Sequence, residues 1–263
     1  MITGIKPYYS KDGITIYNLN CFLIMEQFAE KSFDAVITDP PYGITSCKWD
    51  TDISLEELWY CLKKLGKDNC AYVFTTAQPF TSKLVMSNLK CFRYEWIWEK
   101  ERPTNIFSIK KQPGKVHENI LVFSNKKETY NPIFEKSLQP NNNKKTNKSQ
   151  SGKMNVIETL GDTFTEISKD YDNKKRYPRS VLKISRGTRN NKKFHPTQKP
   201  IKLMKYIVET YTNQSDIILD PFMGSGATLV AAKKMLRRAV GIEISEEYCE
   251  IAAKRLEMEI IDG

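Results

Sequence analysis

The chain has 263 residues, 40% of them apolar and 11% aromatic, with a formal charge of +10. That length fits one α/β domain carrying a modest insert, and that apolar content supplies a buried core, which excludes wholesale disorder. No run approaches the roughly 20 apolar residues of a membrane span, and the start, MITGIKPYYSKDG, lacks a signal-peptide core, so a cytoplasmic protein is expected.

Residues 14–17 (ITIY) alternate and are β-branched, and Phe33–Thr38 (FDAVIT) is a short apolar run that stops at Asp39-Pro40-Pro41. Both predict strands. Ser54-Leu55-Glu56-Glu57 reads as a capping box, Leu58, Leu62 and Leu65 follow at helical spacing, and Gly66 is a terminator. A strand is predicted over 71–75, a helix near 80–89, and further strands over 93–98 and 119–124. Residues 141–153 (NNNKKTNKSQSGK) are polar and basic with little to bury, which predicts mobility in the free protein. Residues 181–184 predict a returning strand.

From Pro200 the strand–helix rhythm resumes. Leu203, Ile207 and Tyr211 share a helical face, 217–219 is a strand, and 228–236 is a helix after a glycine-rich turn. A strand over 239–242 leads to Ser245, which caps a last helix with Glu246 and Glu247 in its first turn. Such alternation implies an α/β fold, a mostly parallel sheet with helices on both faces.

The charge is unevenly spread. Residues 126–194 hold 17 basic and 7 acidic side chains, and the remainder holds 24 of each. A near-neutral scaffold with all its excess charge in one segment points to a polyanion-binding surface. The six cysteines show no C-x-x-C spacing and only His117 and His195 are available as histidine ligands, so reduced thiols and no metal site are expected. Trp96 and Trp98 are expected to pack the sheet, and His117-Glu118 to be structural or to support the site from behind its contact residues.

Open parallel sheets bind ligands beyond the carboxyl ends of their strands, and three predicted strands end in unusual chemistry. After 217–219 comes Asp220-Pro221-Phe222-Met223-Gly224-Ser225-Gly226, a close-approach turn for a nucleotide-like ligand. Glu243 ends the next strand, the usual place for an acid that binds ribose hydroxyls. Asp39-Pro40-Pro41-Tyr42 is a stiff turn that removes two N–H donors and presents carbonyls, a carboxylate and an aromatic face. That set suits a planar ring bearing an amine: Asp39 and the Pro40 carbonyl each accept one amine hydrogen, and Tyr42 stacks on the ring. A third segment, His195-Pro196-Thr197-Gln198-Lys199-Pro200, supplies hydroxyl, amide and ammonium groups where the insert rejoins the sheet.

Together, DPPY at 39–42, HPTQKP at 195–200 and DPFMGSGAT at 220–228 resemble the β class of DNA amino-methyltransferases that use S-adenosylmethionine (SAM). In that class the catalytic motif precedes a recognition insert and the cofactor loop follows. The resemblance implies a Rossmann-like fold in circularly permuted order, with 1–125 and 195–263 as the SAM-binding catalytic domain and 126–194 as the target-recognition insert. It makes Asp39, Pro40, Pro41 and Tyr42 catalytic. Asp220, Phe222, Gly224, Ser225, Gly226 and Glu243 become SAM contacts, with Thr197, Lys199 and Pro200 at its carboxylate end. Asn20, where relatives carry an acid, is expected beside the cofactor's adenine.

Lys144, Lys145 and Lys148 are expected to track phosphates, and Arg176, Arg179, Arg186 and Arg189 to contact phosphates or guanine. The implied partner is double-stranded DNA, from which the target base is flipped. A homodimer, a separate cognate restriction nuclease, and a bacterial or phage origin are family-level expectations. Asp39 favours adenine-N6 over the alternative cytosine-N4. No cysteine follows a proline, which disfavours methylation of cytosine carbon 5. RNA or protein amine methylation is disfavoured by the motif order and the basic insert, and a catalytically inactive DNA-binding module by the intact motifs.

Overall fold

A nine-stranded sheet runs through the described residues of the larger of two compact units, Met1–Asn131 with Arg179–Gly263. The computed structural model describes residues 4–43, 53–136, 175–186 and 198–258; the basic stretch 141–153 lies outside them. In chain order the strands of this sheet are β1 (Tyr9–Lys11), β2 (Ile14–Asn18), β3 (Phe33–Thr38), β4 (Gly66–Thr76), β5 (Phe92–Glu99) and β6 (His117–Phe123). Two more, β7 (Glu135–Lys136) and β8 (Lys175–Arg176), pair with each other in the second unit, and β9 (Val181–Lys183), β10 (Ile217–Asp220) and β11 (Arg238–Glu243) complete the main sheet.

Across the sheet the order is β1-β2-β11-β10-β3-β4-β6-β5-β9. From β2 to β4 every pairing is parallel, whereas β6 runs antiparallel to both β4 and β5. The fold is therefore the mostly parallel α/β sheet expected. Short β1 was not foreseen. It folds back on β2 through Asp12-Gly13, both at positive φ (51° and 77°), the conformation that a tight hairpin turn demands.

Among the described residues six helices cover the faces: α1 (Cys21–Met25), α2 (Leu55–Leu65), α3 (Phe80–Ser87), α4 (Ile201–Tyr211), α5 (Ala227–Lys234) and α6 (Glu246–Glu257). The period of two along each strand divides the core. Ala35, Ile37 and Val73 pack with Leu203, Ile207 and Leu229 on one face; Val36, Tyr72 and Phe74 pack with Leu58, Leu62 and Phe80 on the other. Helix α2 starts as expected, with the Ser54 side chain accepting from Glu57 N–H at 3.2 Å, and it buries Leu58, Trp59, Leu62 and Leu65. Each such side chain contributes about 1.5–3 kcal/mol. Gly66 ends it in an extended conformation (φ −75°, ψ 140°), so the chain passes directly into β4, five residues earlier than the apolar run alone predicts.

The second compact unit is Pro132–Pro178. Within it β7 and β8 are antiparallel and the Phe134 and Tyr177 rings lie 4.9 Å apart. This unit is narrower than the insert expected at 126–194, for two reasons. Asn131 is fastened to the end of α4 by its N–H on the Thr210 carbonyl (2.7 Å), and β9 pairs with β5 as an edge of the main sheet.

Candidate active site

Parallel pairing puts the carboxyl ends of β2, β11, β10, β3 and β4 on one rim. Strand β5 runs with them and β6 begins there. A cavity of about 820 Å³ opens at this rim, within the size range of ligand sites. Asn20, Asp39, Pro40, Pro41, Tyr42, Lys199, Asp220, Phe222, Gly224, Ser225 and Glu243 all line it. Motifs some 180 residues apart are tied directly: the Thr38 hydroxyl donates to Asp220 Oδ1 at 2.6 Å, joining the end of β3 to the end of β10. Asp220 also accepts the Phe222 N–H at 3.2 Å, and burial raises its pKa to about 6.

The two turn glycines do different work. Gly224 has φ +50° and open space where a Cβ would stand; its backbone bounds the cavity and leaves room for a ligand to approach closely. Gly226 has φ +76°, and a Cβ there would lie 2.8 Å from the Ala252 Cβ, so this glycine serves the packing of α5 against α6. Glu243 clamps the turn. One carboxylate oxygen accepts Gly224 N–H (3.0 Å) and the other Ser245 N–H (2.9 Å), and burial raises its pKa. The Ser225 hydroxyl accepts from Arg255 at 3.0 Å, which makes Ser225 a brace for the loop. Asn20 Oδ1 caps α1 through Phe22 N–H (2.9 Å), so its NH₂ is the group it offers to a ligand.

Asp39 is held from three sides. Its Oδ1 accepts the Tyr42 and Thr75 hydroxyls, each at 2.6 Å, and its Oδ2 accepts the Lys199 ammonium at 2.5 Å. A carboxylate has about four lone-pair sites, so the described residues leave one for an incoming donor, on the Lys199 side. The Tyr42 ring stacks on Phe80 (5.3 Å, 25°), which fixes the turn from below. Burial, then the Asp39 and Glu118 charges, raise the Tyr42 pKa well above its ordinary value, so its hydroxyl stays a donor.

Lys199, expected at the cofactor's carboxylate, sits between two protein carboxylates: Asp39 and, at 3.5 Å, Glu118. Glu118 in turn pairs with Lys100, whose side chain is 2% exposed and whose ammonium lies 4.9 Å from the Trp98 ring. Two carboxylates and two ammoniums thus alternate in a nearly closed, charge-balanced row. Burial disfavours charge on Lys199, but the two carboxylates prevail and its pKa is raised; burial prevails at Lys100 and lowers it. Glu118 is likewise held ionised by Lys199 and Lys100 against its burial. Sequence reading missed Lys100 and Thr75; the signal available for Lys100 was a lysine at a strand's carboxyl end. Glu118, expected to be structural or to support the site from behind, stands behind Lys199.

The remaining expected residues are spread out. Pro200 starts α4 and is outside the cavity lining. Arg186 lines the cavity, Arg179 lies in the larger unit and Arg176 in the smaller one. Thr197, Lys144, Lys145, Lys148 and Arg189 lie outside the described residues. Among the described residues no His, Cys, Asp and Glu group could hold a metal ion, and no helix is long and apolar enough to cross a membrane.

A family model described as DNA methylase (N6_N4_Mtase) matches residues 33–254. The chain is 29% identical over 253 residues to the Type II methyltransferase M1.MboII of Moraxella bovis, covering 89% of this chain and 92% of that protein. The M1.HpyAVI–SAM complex superposes with a TM-score of 0.63 at 28% identity, covering 92% of this chain and all of that one. The cytosine-N4-specific PvuII DNA methyltransferase, at 18% identity, shares the fold with a TM-score of 0.66 over 98% of this chain and 92% of its own. With its motifs gathered on one rim and the family pattern running through nearly the whole sheet, the chain belongs to the N6/N4 DNA methylase family.

Proposed function

We propose that the protein transfers a methyl group from SAM to the N6 amine of an adenine flipped out of double-stranded DNA. The observation that carries this reading is the meeting of the Asp39 turn and the Gly224 bend on one cavity, joined by the 2.6 Å Thr38–Asp220 bond. Its volume of about 820 Å³ suits a nucleoside-sized donor with a base beside it. The donor set fits SAM: open backbone at Gly224, an acid at Glu243 and the apolar face of Phe222. Bound SAM would supply an electrophilic methyl group, its sulfonium leaving as a neutral thioether when the carbon–sulfur bond breaks.

The chain's own residues hold and polarise the acceptor. Asp39 Oδ2 takes one amine hydrogen at its remaining lone pair and the Pro40 carbonyl takes the other. The nitrogen lone pair is then exposed for attack, and the proton lost after transfer leaves toward the Asp39 side. Thr75, Tyr42 and Lys199 keep the carboxylate oriented, which is where positioning contributes most of the rate. Lys199 acts as a positioning residue. Residues 126–194 serve as the target-recognition region, with Lys144, Lys145, Lys148, Arg176, Arg179, Arg186 and Arg189 meeting DNA.

Asp39 in place of the serine common in cytosine enzymes supports adenine as the target. Expression in a methylation-free host, followed by sequencing that detects modified bases, tests this directly. N6-methyladenine at one recurring sequence is the expected result; N4-methylcytosine would replace the base assignment, and no modified base would remove the activity.

A further inference from the structure

The connection from β5 to β6, residues 100–116, leaves the sheet beside the Asp39 turn, because β5 runs parallel to β4 and β6 returns antiparallel. Its stem is tightly stapled. Thr104 N–H donates to the Lys115 carbonyl (3.0 Å), Lys115 N–H to Asn105 Oδ1 (2.6 Å), and Asn105 Nδ2 to the Pro113 carbonyl (3.0 Å). Thr104 and Lys115 form part of the cavity wall. The tip is a 3₁₀ turn, Ile106–Ser108, closed by Ser108 N–H on the Asn105 carbonyl at 2.9 Å.

On that ordered tip Phe107 is fully exposed (105%), with Ile106 at 65% and Ile109 at 48%. Phe107 stands wholly in water and Ile106 mostly so, which gains nothing for the fold; Ile109 is half covered, its Cδ1 lying beside Gly114. Arg102, Lys110, Lys111 and Lys115 flank them along the same loop. The single acid, Glu101, is taken by the Ser185 hydroxyl (2.9 Å) and the Arg186 N–H (3.2 Å). A cationic collar around an apolar point disfavours a second copy of itself, since like charges would meet. It matches a duplex: cations reach phosphates, and an apolar ring slides between stacked bases. Flipping the target base leaves a gap in that stack, next to the cavity that receives the base.

We propose that Phe107, flanked by Ile106, enters the DNA stack from the cavity rim and fills the place vacated by the extruded base. This rests on the methyl-transfer reading above. The test compares wild type, Phe107→Ala and Phe107→Leu on two substrates carrying the recognition sequence. One is a fully paired duplex and the other has an abasic site opposite the target base, where unpairing is already done. Phe107→Ala should lose about tenfold or more in kcat/KM on the paired duplex and less than about threefold on the abasic one, with Phe107→Leu restoring most of the loss. SAM affinity and melting temperature should be unchanged, because the side chain packs against nothing.

Equal losses on both substrates, or no loss on the paired one, would overturn the proposal. So would a parallel change in sedimentation, which would assign the tip to a contact between copies. Wild-type protein that methylates neither substrate would take down the methyltransferase reading, and this one with it.

Discussion

At the scale of single residues, the methyl-transfer reading makes Asp39 the group on which the chemistry turns, and its surroundings separate binding from catalysis. Asp39→Ala should abolish methyl transfer while leaving SAM affinity within about tenfold; near-normal turnover would refute its role. Lys199 offers a sharper contrast. Its ammonium holds Asp39 Oδ2 and pairs with Glu118. Lys199→Ala should therefore lower kcat by about 10²-fold, the usual result of letting a reacting group drift, with little change in SAM affinity. A large loss of SAM affinity with kcat preserved would return this lysine to the cofactor's carboxylate. The glycines make a second pair. Gly224→Val should fill the cavity and weaken SAM binding at least about tenfold by calorimetry, and it costs about 1–2 kcal/mol of stability for its positive φ. Gly226→Val meets Ala252 and should destabilise by about 3 kcal/mol or more, read from chemical denaturation. Unchanged SAM affinity in the Gly224 variant would sink the loop assignment.

At the scale of elements, the joint between β3 and β10 carries a titration. Asp220 is buried where the two strands end, accepts Thr38 and Phe222, and has a pKa raised from 3.8 to about 6. A carboxyl with a raised folded pKa binds its proton more tightly in the native state than in the unfolded chain. Its contribution to stability therefore falls as pH rises from about 4 to about 6 and is level above that. Asp220→Asn removes the ionisation, so its stability relative to wild type should improve across that window by on the order of 3 kcal/mol. Denaturant unfolding at a series of pH values checks this, and parallel curves for the two proteins would refute it. The joint holds the Asp39 turn and the Gly224 bend at a set distance.

At the scale of the whole molecule, the excess positive charge gathered at 126–194 predicts binding dominated by phosphate contacts. DNA affinity should fall about 10³-fold between 50 and 200 mM salt, measured by fluorescence anisotropy. A flat response would remove the task assigned to that segment. Most of the sheet is built from the charge-neutral remainder; of its strands only β9 comes from the basic stretch.

Taken alone, the sequence determined the strand–helix order, because alternation at period two and helical spacing at 3.6 are local properties of residues such as Ile37, Leu62 and Ile207. It also exposed Asp39, Gly224 and Glu243, since prolines, glycines and acids just past apolar runs have few purely structural uses. What escaped it at the local level were the three-residue β1, the five-residue α1 and the two-residue β7 and β8, too short to show a period, and the direct passage of α2 into β4. Only the tertiary structure decided that Lys199 faces Asp39 and that Glu118 and Lys100 stand behind it. A motif and two strand ends mark these residues in the sequence but not which charge meets which, because buried charges find partners through chain crossings, not along the chain. The same holds for Gly226, whose need for a bare Cα arises from Ala252 on another helix. Pairing across the sheet, set by burial of both faces, is what turned three separated motifs into one cavity.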